Sequence, residues 1–169
     1  MQDVKYNDYL KEVTEILPSG SFLTVKSGNK VNTMTIGWGT IGFIWGKPIF
    51  MVAVRDSRYT FNLIEESDQF TVSIPFDGAM KEELNFCGTR SGRDYDKFKE
   101  CNLTAVPGIK VDTPVIGGCK LHYECLIRFK QAIDPNNLAP FFDEKWYPEK
   151  DYHTLYFGEI VASYIDEQV

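Results

Sequence analysis

The chain has 169 residues, of which 43% are hydrophobic and 25% are charged. This length and balance exclude a disordered chain and fit one globular domain over residues 1–169. The formal net charge of −6 argues against a nucleic-acid partner. The polar start lacks the apolar core of a signal peptide, and no apolar run approaches the roughly 20 residues that cross a bilayer. We therefore expect a cytoplasmic protein with no membrane partner.

The first half of the chain predicts strands separated by turns and short helices. A helical stripe of apolar residues runs over Tyr6–Ile16 and is stopped by Pro18-Ser19-Gly20. A hairpin then follows around a Ser-Gly-Asn turn. A later apolar run favours a strand that is buried on both faces. The predicted strands of this half are Ser21–Lys26, Val31–Trp38, Pro48–Val54 and Phe70–Ile74, and the predicted helices are Arg58–Glu66 and Gly78–Phe86.

The second half predicts a short helix over Asp96–Glu100 and two long strands, Cys119–Ile133 and Tyr152–Ile165. The first of these strands alternates, which predicts an apolar face containing Tyr123 and a polar face containing Glu124. The Pro-rich and aromatic residues 135–148 between the strands are either an ordered loop that acts as a lid or dimer contact, or a long hairpin connection. Strands joined mainly by turns predict a mainly β fold with short helices, an antiparallel barrel.

One segment with the residue types of an anion site directly follows a predicted strand. Residues 55–60 carry two arginines and two aliphatic hydroxyl groups, and Ser57 suits the N-cap of the following helix. Free N–H groups at a helix start, with arginines beside them, are suited to a phosphate monoester. The alternative is a capped surface helix whose arginines pair with Asp56 and Glu65.

Two other segments are rich in glycine and short polar side chains. Alternation over residues 32–39 places Asn32 and Met34 on one face and Thr35 on the other. Such residues allow a flat ring to approach the backbone, although a strand running into a Gly-rich turn explains them equally well. The loop over residues 87–94 carries two arginines, which suit either an anionic ligand or a solvated connection.

The cysteines and histidines give no independent sign of a catalytic or metal site. Four cysteines are present, none in Cys-x-x-Cys spacing: Cys87, Cys101, Cys119 and Cys125. We expect reduced structural thiols and no metal. His122 and His153 are the two histidines, and a histidine in a strand is more often structural than catalytic.

Taken together, these segments resemble the flavin reductase-like, FMN-binding split-barrel family, close to its flavoredoxin branch. The resemblance runs from about Pro18 to the C-terminal strand. It is carried by four segments in order, namely Asn32–Gly39, Lys47-Pro48 with Arg55–Thr60, Cys87–Phe98 and His153–Ile160. The resemblance implies a six-stranded antiparallel split β-barrel of the Greek-key type and a homodimer with FMN at or near the subunit interface.

The resemblance also implies which residues bind FMN. The isoalloxazine ring would be lined by Asn32, Thr33, Met34, Thr35, Ile36 and Trp38, mainly through the backbone and the Thr35 hydroxyl. The phosphate and ribityl chain would be held by Arg55, Ser57, Arg58, Tyr59 and Thr60. The loop residues Ser91, Gly92, Arg93 and Lys97 would close over the cofactor. His153 is the candidate catalytic residue, near the flavin or a nicotinamide.

Three functions are compatible with this resemblance. The first is an FMN oxidoreductase that moves electrons from NADH or NADPH through FMN to an acceptor. The second is a flavoredoxin-type electron-transfer protein that exchanges electrons with a redox protein partner without a nicotinamide. The third is a flavin-binding module without turnover. Because flavin performs the redox step itself, the absence of a recognisable catalytic triad in the sequence is compatible with all three.

Overall fold

The computed structural model describes residues 1–168, and most of its regular structure is antiparallel β-sheet. Within this range the strands are β1 (Gln2–Asp3), β2 (Ser21–Ser27), β3 (Lys30–Ile36), β4 (Gly39–Ile44), β5 (Lys47–Arg55), β6 (Gln69–Ile74), β7 (Ala105–Val106), β8 (Val115–Ile116), β9 (Leu121–Ala132) and β10 (His153–Ile165). The α-helices are α1 (Leu10–Ile16), α2 (Tyr59–Glu65), α3 (Lys81–Thr89), α4 (Lys97–Glu100) and α5 (Pro140–Trp146).

The main sheet closes on itself at a seam between its two edge strands. Its order is β3-β2-β6-β9-β10-β5-β4, with β1 added beside β10, and β7 and β8 form a separate pair. Strands β3 and β4 lie at opposite ends of this order, yet Gly37 and Trp38 alone connect them. So short a connection spans about 11 Å at most. The two edges must therefore lie close together, which curls the sheet into a barrel.

The seam leaves the end of β5 without a β4 neighbour. The pairing of β4 with β5 reaches only from Ile44 opposite Lys47 to Gly39 opposite Val52. Residues 53–55 of β5 extend beyond it, and β3 and β5 approach each other there. The barrel is therefore split at one end, between β3 on one side and the end of β5 on the other.

The predicted mainly β fold and antiparallel split barrel are confirmed, but the number of strands differs. Over residues 1–168 the main sheet has eight strands rather than six. The additional strands include the two-residue β1 and the strand β4, and the sequence predicts no strand at either place. Two glycines, Gly39 and Gly42, lower the strand propensity of β4, and its pairing with β5 stabilises it instead.

Apolar and polar residues alternate along β9 as predicted, but the two faces of the strand are not one buried and one exposed to solvent. Leu121–Cys125 is buried on both faces, whereas the second half of β9 is largely exposed. The predicted polar residue Glu124 is fully buried because a loop covers it. Its carboxylate accepts hydrogen bonds from the N–H groups of Ile109, Lys110 and Val111 at 2.6–3.0 Å. This carboxylate therefore ties the loop to the barrel.

The helices differ from the predictions mainly at their starts. α1 begins at Leu10 rather than Tyr6, because Asp8 accepts a hydrogen bond from the Lys5 N–H at 2.8 Å and forms a turn instead. α3 begins at Lys81, after residues with positive φ at Asp77, Gly78 and Met80. No helix within residues 1–168 is long and apolar enough to cross a membrane.

The connection over residues 135–148 contains more helix than a loop or hairpin turn would. A 3-10 turn at Pro135–Asn137 is followed by α5, whose first residue is Pro140. Proline suits this position because its missing N–H would have no partner inside the helix. The helix exposes Phe141 and Phe142 and brings Trp146 to the seam.

Candidate functional site

Two adjoining cavities open at the split end of the barrel, and together they form a cleft that we call the seam cleft. They share Met34 of β3 and Arg58 at the start of α2. The basic cavity measures about 120 Å³ and also involves α3 and residues 90–97. The aromatic cavity measures about 200 Å³ and is lined by Met34, Thr35, Ile36, Gly37, Trp38, Ala53, Arg55, Arg58, Trp146 and His153.

The basic cavity concentrates positive charge that no carboxylate neutralises. Its cations are Arg58, Arg90, Arg93 and Lys97. Within residues 1–168, none of the four takes part in a salt bridge. The hydrogen bonds that Arg58 and Arg93 make are to backbone carbonyls, those of Gly88 and Ser57. In a chain with a net charge of −6, this cavity is a local concentration of positive charge.

Lys97 is the buried member of this group. Its side chain is nearly inaccessible, and the ammonium group donates to the carbonyls of Thr33 and Cys87 at 3.0 and 2.7 Å. Burial lowers the pKa of Lys97 from its ordinary value. An ammonium group has three donors, so two carbonyls leave one donor for a ligand in the cavity.

The loop over residues 90–93 closes tightly over the start of α2. The Arg93 guanidinium lies 5.6 Å from the centre of the Tyr59 ring, within cation–π distance. A Cβ added at Gly92 would lie 2.7 Å from the Tyr59 ring and would also clash with the Asn32 side chain. Glycine is therefore required there, because the loop backbone packs directly on β3 and α2.

The aromatic cavity has a wall of aromatic side chains that pack against one another. Trp38 packs on Trp146 with ring centroids 5.1 Å apart and on His153 at 4.8 Å. Arg55 fixes the far side of this wall by donating to the carbonyls of Trp146 and Asp151. α5 and the start of β10 are thus held against the open end of the barrel.

His153 lies on the floor of the aromatic cavity and is neutral near pH 7. Its Nδ1 atom is 2.8 Å from the hydroxyl oxygen of Tyr147. Burial, followed by the charge of Arg55, lowers the pKa of His153 to about 4. A neutral imidazole can offer one donor and one acceptor to its surroundings.

Sequence comparison identifies the family of the chain. The family model described as flavin reductase like domain matches residues 18–169. The chain belongs to the flavin reductase-like family.

Several solved structures share the fold of this chain. A flavoredoxin of Desulfovibrio vulgaris (Miyazaki F) is 27% identical, with 88% of this chain and 70% of that chain covered and a TM-score of 0.68. An FMN-binding domain of a flavin reductases-like enzyme from Shewanella baltica OS155 is 19% identical, with 100% and 81% covered and a TM-score of 0.68. An NADH:FAD oxidoreductase of Streptomyces globisporus C-1027 is 19% identical, with 87% and 74% covered and a TM-score of 0.65. The predicted family, including its flavoredoxin branch, is confirmed.

Most of the residues predicted to bind FMN in this flavin reductase-like chain lie in the seam cleft. The basic cavity brings together Asn32, Met34, Ser57, Arg58, Tyr59, Thr60, Ser91, Gly92, Arg93 and Lys97. The aromatic cavity contains Thr35, Ile36, Trp38, Arg55 and His153. Thr33 lines neither cavity, because its side chain is buried on the other face of β3 and its hydroxyl donates to the Leu23 carbonyl at 3.2 Å.

Some of the predicted residues make other contacts than those expected. The N-cap of α2 is Arg58 rather than Ser57, whose hydroxyl instead donates to the Asp151 carboxylate at 2.6 Å. The Thr35 hydroxyl donates to the carbonyl of Leu84 in α3. Arg55 holds the carbonyls of Trp146, at the end of α5, and of Asp151 rather than standing free at the basic cavity. These side chains therefore position the walls of the cleft.

Sequence reasoning omitted several residues of the site. Arg90 lines the basic cavity, and it is one of the two loop arginines that suit an anionic ligand, although it is not among the residues predicted to bind FMN. Trp146, Tyr147 and Asp151 were missed because nothing in the sequence predicted α5 or its return to the seam.

The cysteines carry no charge at neutral pH. Burial raises the pKa of Cys87 to about 12 and also raises those of Cys119 and Cys125 well above the ordinary thiol value. Buried thiols of this kind are unreactive. Residues 1–168 contain no cluster of His, Cys, Asp and Glu with the geometry of a metal site.

Proposed function

We propose that the chain binds FMN in the seam cleft and works as a flavin reductase-like oxidoreductase, taking electrons from NADH or NADPH and passing them to an acceptor. The observation that carries the proposal is the group of four cations without carboxylate partners in the basic cavity. FMN ends in a phosphate with up to two negative charges, which such a group would bind strongly. The small volume of the cavity favours a single phosphate group.

The residues of the cleft fit FMN at both of its ends. At the phosphate end, Arg58, Arg93 and Lys97 supply donors, and Gly92 allows the loop to approach closely. At the ring end, the flat wall of Trp38 and the imidazole of His153 suit an isoalloxazine. Bound FMN would supply hydride and electron transfer chemistry. The chain itself would bind the phosphate, orient the ring and exclude water from one side of it.

Family and neighbours support a redox role of this kind. The matching model describes a flavin reductase like domain, and the Streptomyces neighbour is described as an NADH:FAD oxidoreductase. The Shewanella neighbour is described as FMN-binding. The second candidate is electron transfer with a protein partner, which the similarity to the flavoredoxin supports at 27% identity.

The experiment that tests the function is a visible absorption spectrum of the purified protein after FMN loading and desalting, followed by anaerobic titration with NADH and NADPH. A retained flavin band that bleaches with one nicotinamide is the expected result. A retained band that ignores both nicotinamides would favour electron transfer from a protein partner. A protein that retains no flavin band and binds no FMN in solution would overturn the proposal.

We also propose that the protein is a homodimer, through an aromatic patch made of the exposed Trp45 and Phe129 and the half-buried Phe157. The ring centroids of the three residues are 5.6–6.2 Å apart. Trp45 has a φ of 55°, in the two-residue turn between β4 and β5 where glycine or asparagine is favoured. A strained, exposed tryptophan beside exposed Phe129 favours an interface over a solvated turn.

A further inference from the structure

The Nε2 atom of His153 is free to meet a ligand in the aromatic cavity. Nδ1 faces Tyr147, and within residues 1–168 Nε2 has no hydrogen-bond partner. The side-chain polar atoms of residues 1–168 that are both fully enclosed and without a partner belong to Ser21 and Thr113, so Nε2 of His153 is not fully enclosed. His153 lines the aromatic cavity, and Nε2 is the ring nitrogen that the contact with Tyr147 leaves for a ligand there.

The Tyr147 hydroxyl needs a hydrogen-bond acceptor, and this need decides which nitrogen of His153 carries the proton. Tyr147 is buried, and within residues 1–168 its hydroxyl has no partner other than Nδ1 of His153. If Nδ1 carried the proton, the buried Tyr147 hydroxyl would have no acceptor for its own proton, which is costly. If Tyr147 donates to Nδ1, both groups are satisfied, and the proton of the neutral imidazole lies on Nε2.

The charged residues around Tyr147 and His153 keep the tyrosine hydroxyl protonated and the imidazole neutral. Arg55 lies over the Tyr147 ring at 5.1 Å and disfavours a second cation beside it. Arg58 acts on His153 in the same direction, and Asp151 opposes them. Burial also raises the pKa of Tyr147, so its hydroxyl keeps the proton that it donates.

We propose that Tyr147 is a positioning residue that locks His153 as the Nε2–H tautomer, so that His153 presents a neutral hydrogen-bond donor to the ligand ring in the aromatic cavity. The proposal rests on the proposed function only for the identity of that ring. An Nε2–H donor would bind an acceptor atom at the edge of an isoalloxazine, such as a carbonyl oxygen. The donor would keep its protonation state from neutral pH down to about pH 5, because His153 has a pKa of about 4.

The tautomer can be measured without any flavin. The chain has only two histidines, so long-range proton–nitrogen NMR of the ¹⁵N-labelled protein gives two sets of imidazole signals, and the loss of one set in His153→Gln assigns them. We expect wild-type His153 to show a protonated Nε2 and an unprotonated Nδ1. A protonated Nδ1 in the wild-type protein would overturn the proposal without any Tyr147 variant.

The variant Tyr147→Phe removes the hydroxyl that locks the ring. We expect mixed tautomers at His153, a higher midpoint pH for its titration, and FMN affinity lower by about threefold to tenfold. Tyr152→Phe is the matched control, because Tyr152 stacks on Tyr147 but its hydroxyl bonds Asp143 at 2.6 Å. An unchanged tautomer in Tyr147→Phe, or the same loss of affinity in Tyr152→Phe, would refute the positioning role. Failure of the wild-type protein to bind FMN would refute the proposed function but leave the tautomer result standing.

Discussion

At the scale of single residues, Arg58 connects the two ends of the seam cleft, since it lines both cavities. Its guanidinium has no carboxylate partner within residues 1–168 and makes one long hydrogen bond, of 3.4 Å, to the Gly88 carbonyl. Replacing it in Arg58→Ala should weaken FMN binding by about 10-fold to 100-fold, the effect of losing a charge-assisted contact. Quenching of flavin fluorescence during titration measures this affinity.

Lys99→Ala is a suitable control for that prediction. Lys99 is a cation on α4 that lines neither cavity and is exposed. Its replacement should leave the FMN affinity within about twofold of the wild-type value. Equal affinities for Arg58→Ala and the wild-type protein would mean that Arg58 is only a surface residue.

The buried His122 makes the stability of the fold dependent on pH. Burial lowers the pKa of His122 from 6.5 to about 4, and its Nδ1 atom is 3.0 Å from the Ser73 hydroxyl. The unfolded chain therefore binds more protons than the folded chain between these values, so stability falls as the pH falls from 6.5 toward 4. We expect a loss of about 2 to 3 kcal/mol from this residue between pH 7 and 4.5.

Urea unfolding at several pH values measures this dependence. His122→Gln should be less stable at pH 7, because the contact with Ser73 is altered, yet its stability should fall less steeply as the pH decreases. A slope identical to that of the wild-type protein would show that His122 does not cause the dependence.

At the scale of secondary-structure elements, β10 crosses the core at a glycine that has no room for a side chain. A Cβ at Gly158 would lie 2.6 Å from the Phe70 ring and 2.7 Å from the Cβ of Cys125. Gly158→Ala should therefore lower the free energy of unfolding by about 1 to 3 kcal/mol through overpacking. Gly42→Ala in β4 is the control, since nothing lies within 4 Å of the added atom. Similar thermal midpoints for the two variants would contradict this account.

The elements show what the sequence could and could not predict. Strands such as β2, β5 and β6 contain apolar runs, which are a local pattern, so their predicted bounds lie close to the observed ones. β4 owes its strand conformation to β5, and the α5 segment was seen only as a Pro-rich connection. Nothing local distinguishes either element. In the site, the sequence alone shows the cations of residues 55–60 and 87–97. It does not show that Arg55 bonds Trp146 and that Ser57 bonds Asp151, because these contacts depend on tertiary structure.

At the scale of the whole molecule, the proposed dimer depends on the aromatic patch, none of whose three residues lines the seam cleft. The variant Phe129→Glu places a carboxylate in the patch. It should sediment as a monomer where the wild-type protein sediments as a dimer, because burying an unpaired carboxylate in the interface is costly. Ile109→Glu places the same charge on another exposed apolar residue and should leave the dimer intact. A wild-type protein that sediments as a monomer would refute the proposed interface.

The central claim is that the four cations of the basic cavity hold the phosphate of a flavin. Comparing the affinities for FMN and for riboflavin tests it most directly, because the two ligands differ only in that phosphate. We expect FMN to bind at least about 10-fold more tightly, and the difference to shrink as salt is added. Equal affinities for the two flavins at low salt would contradict the claim.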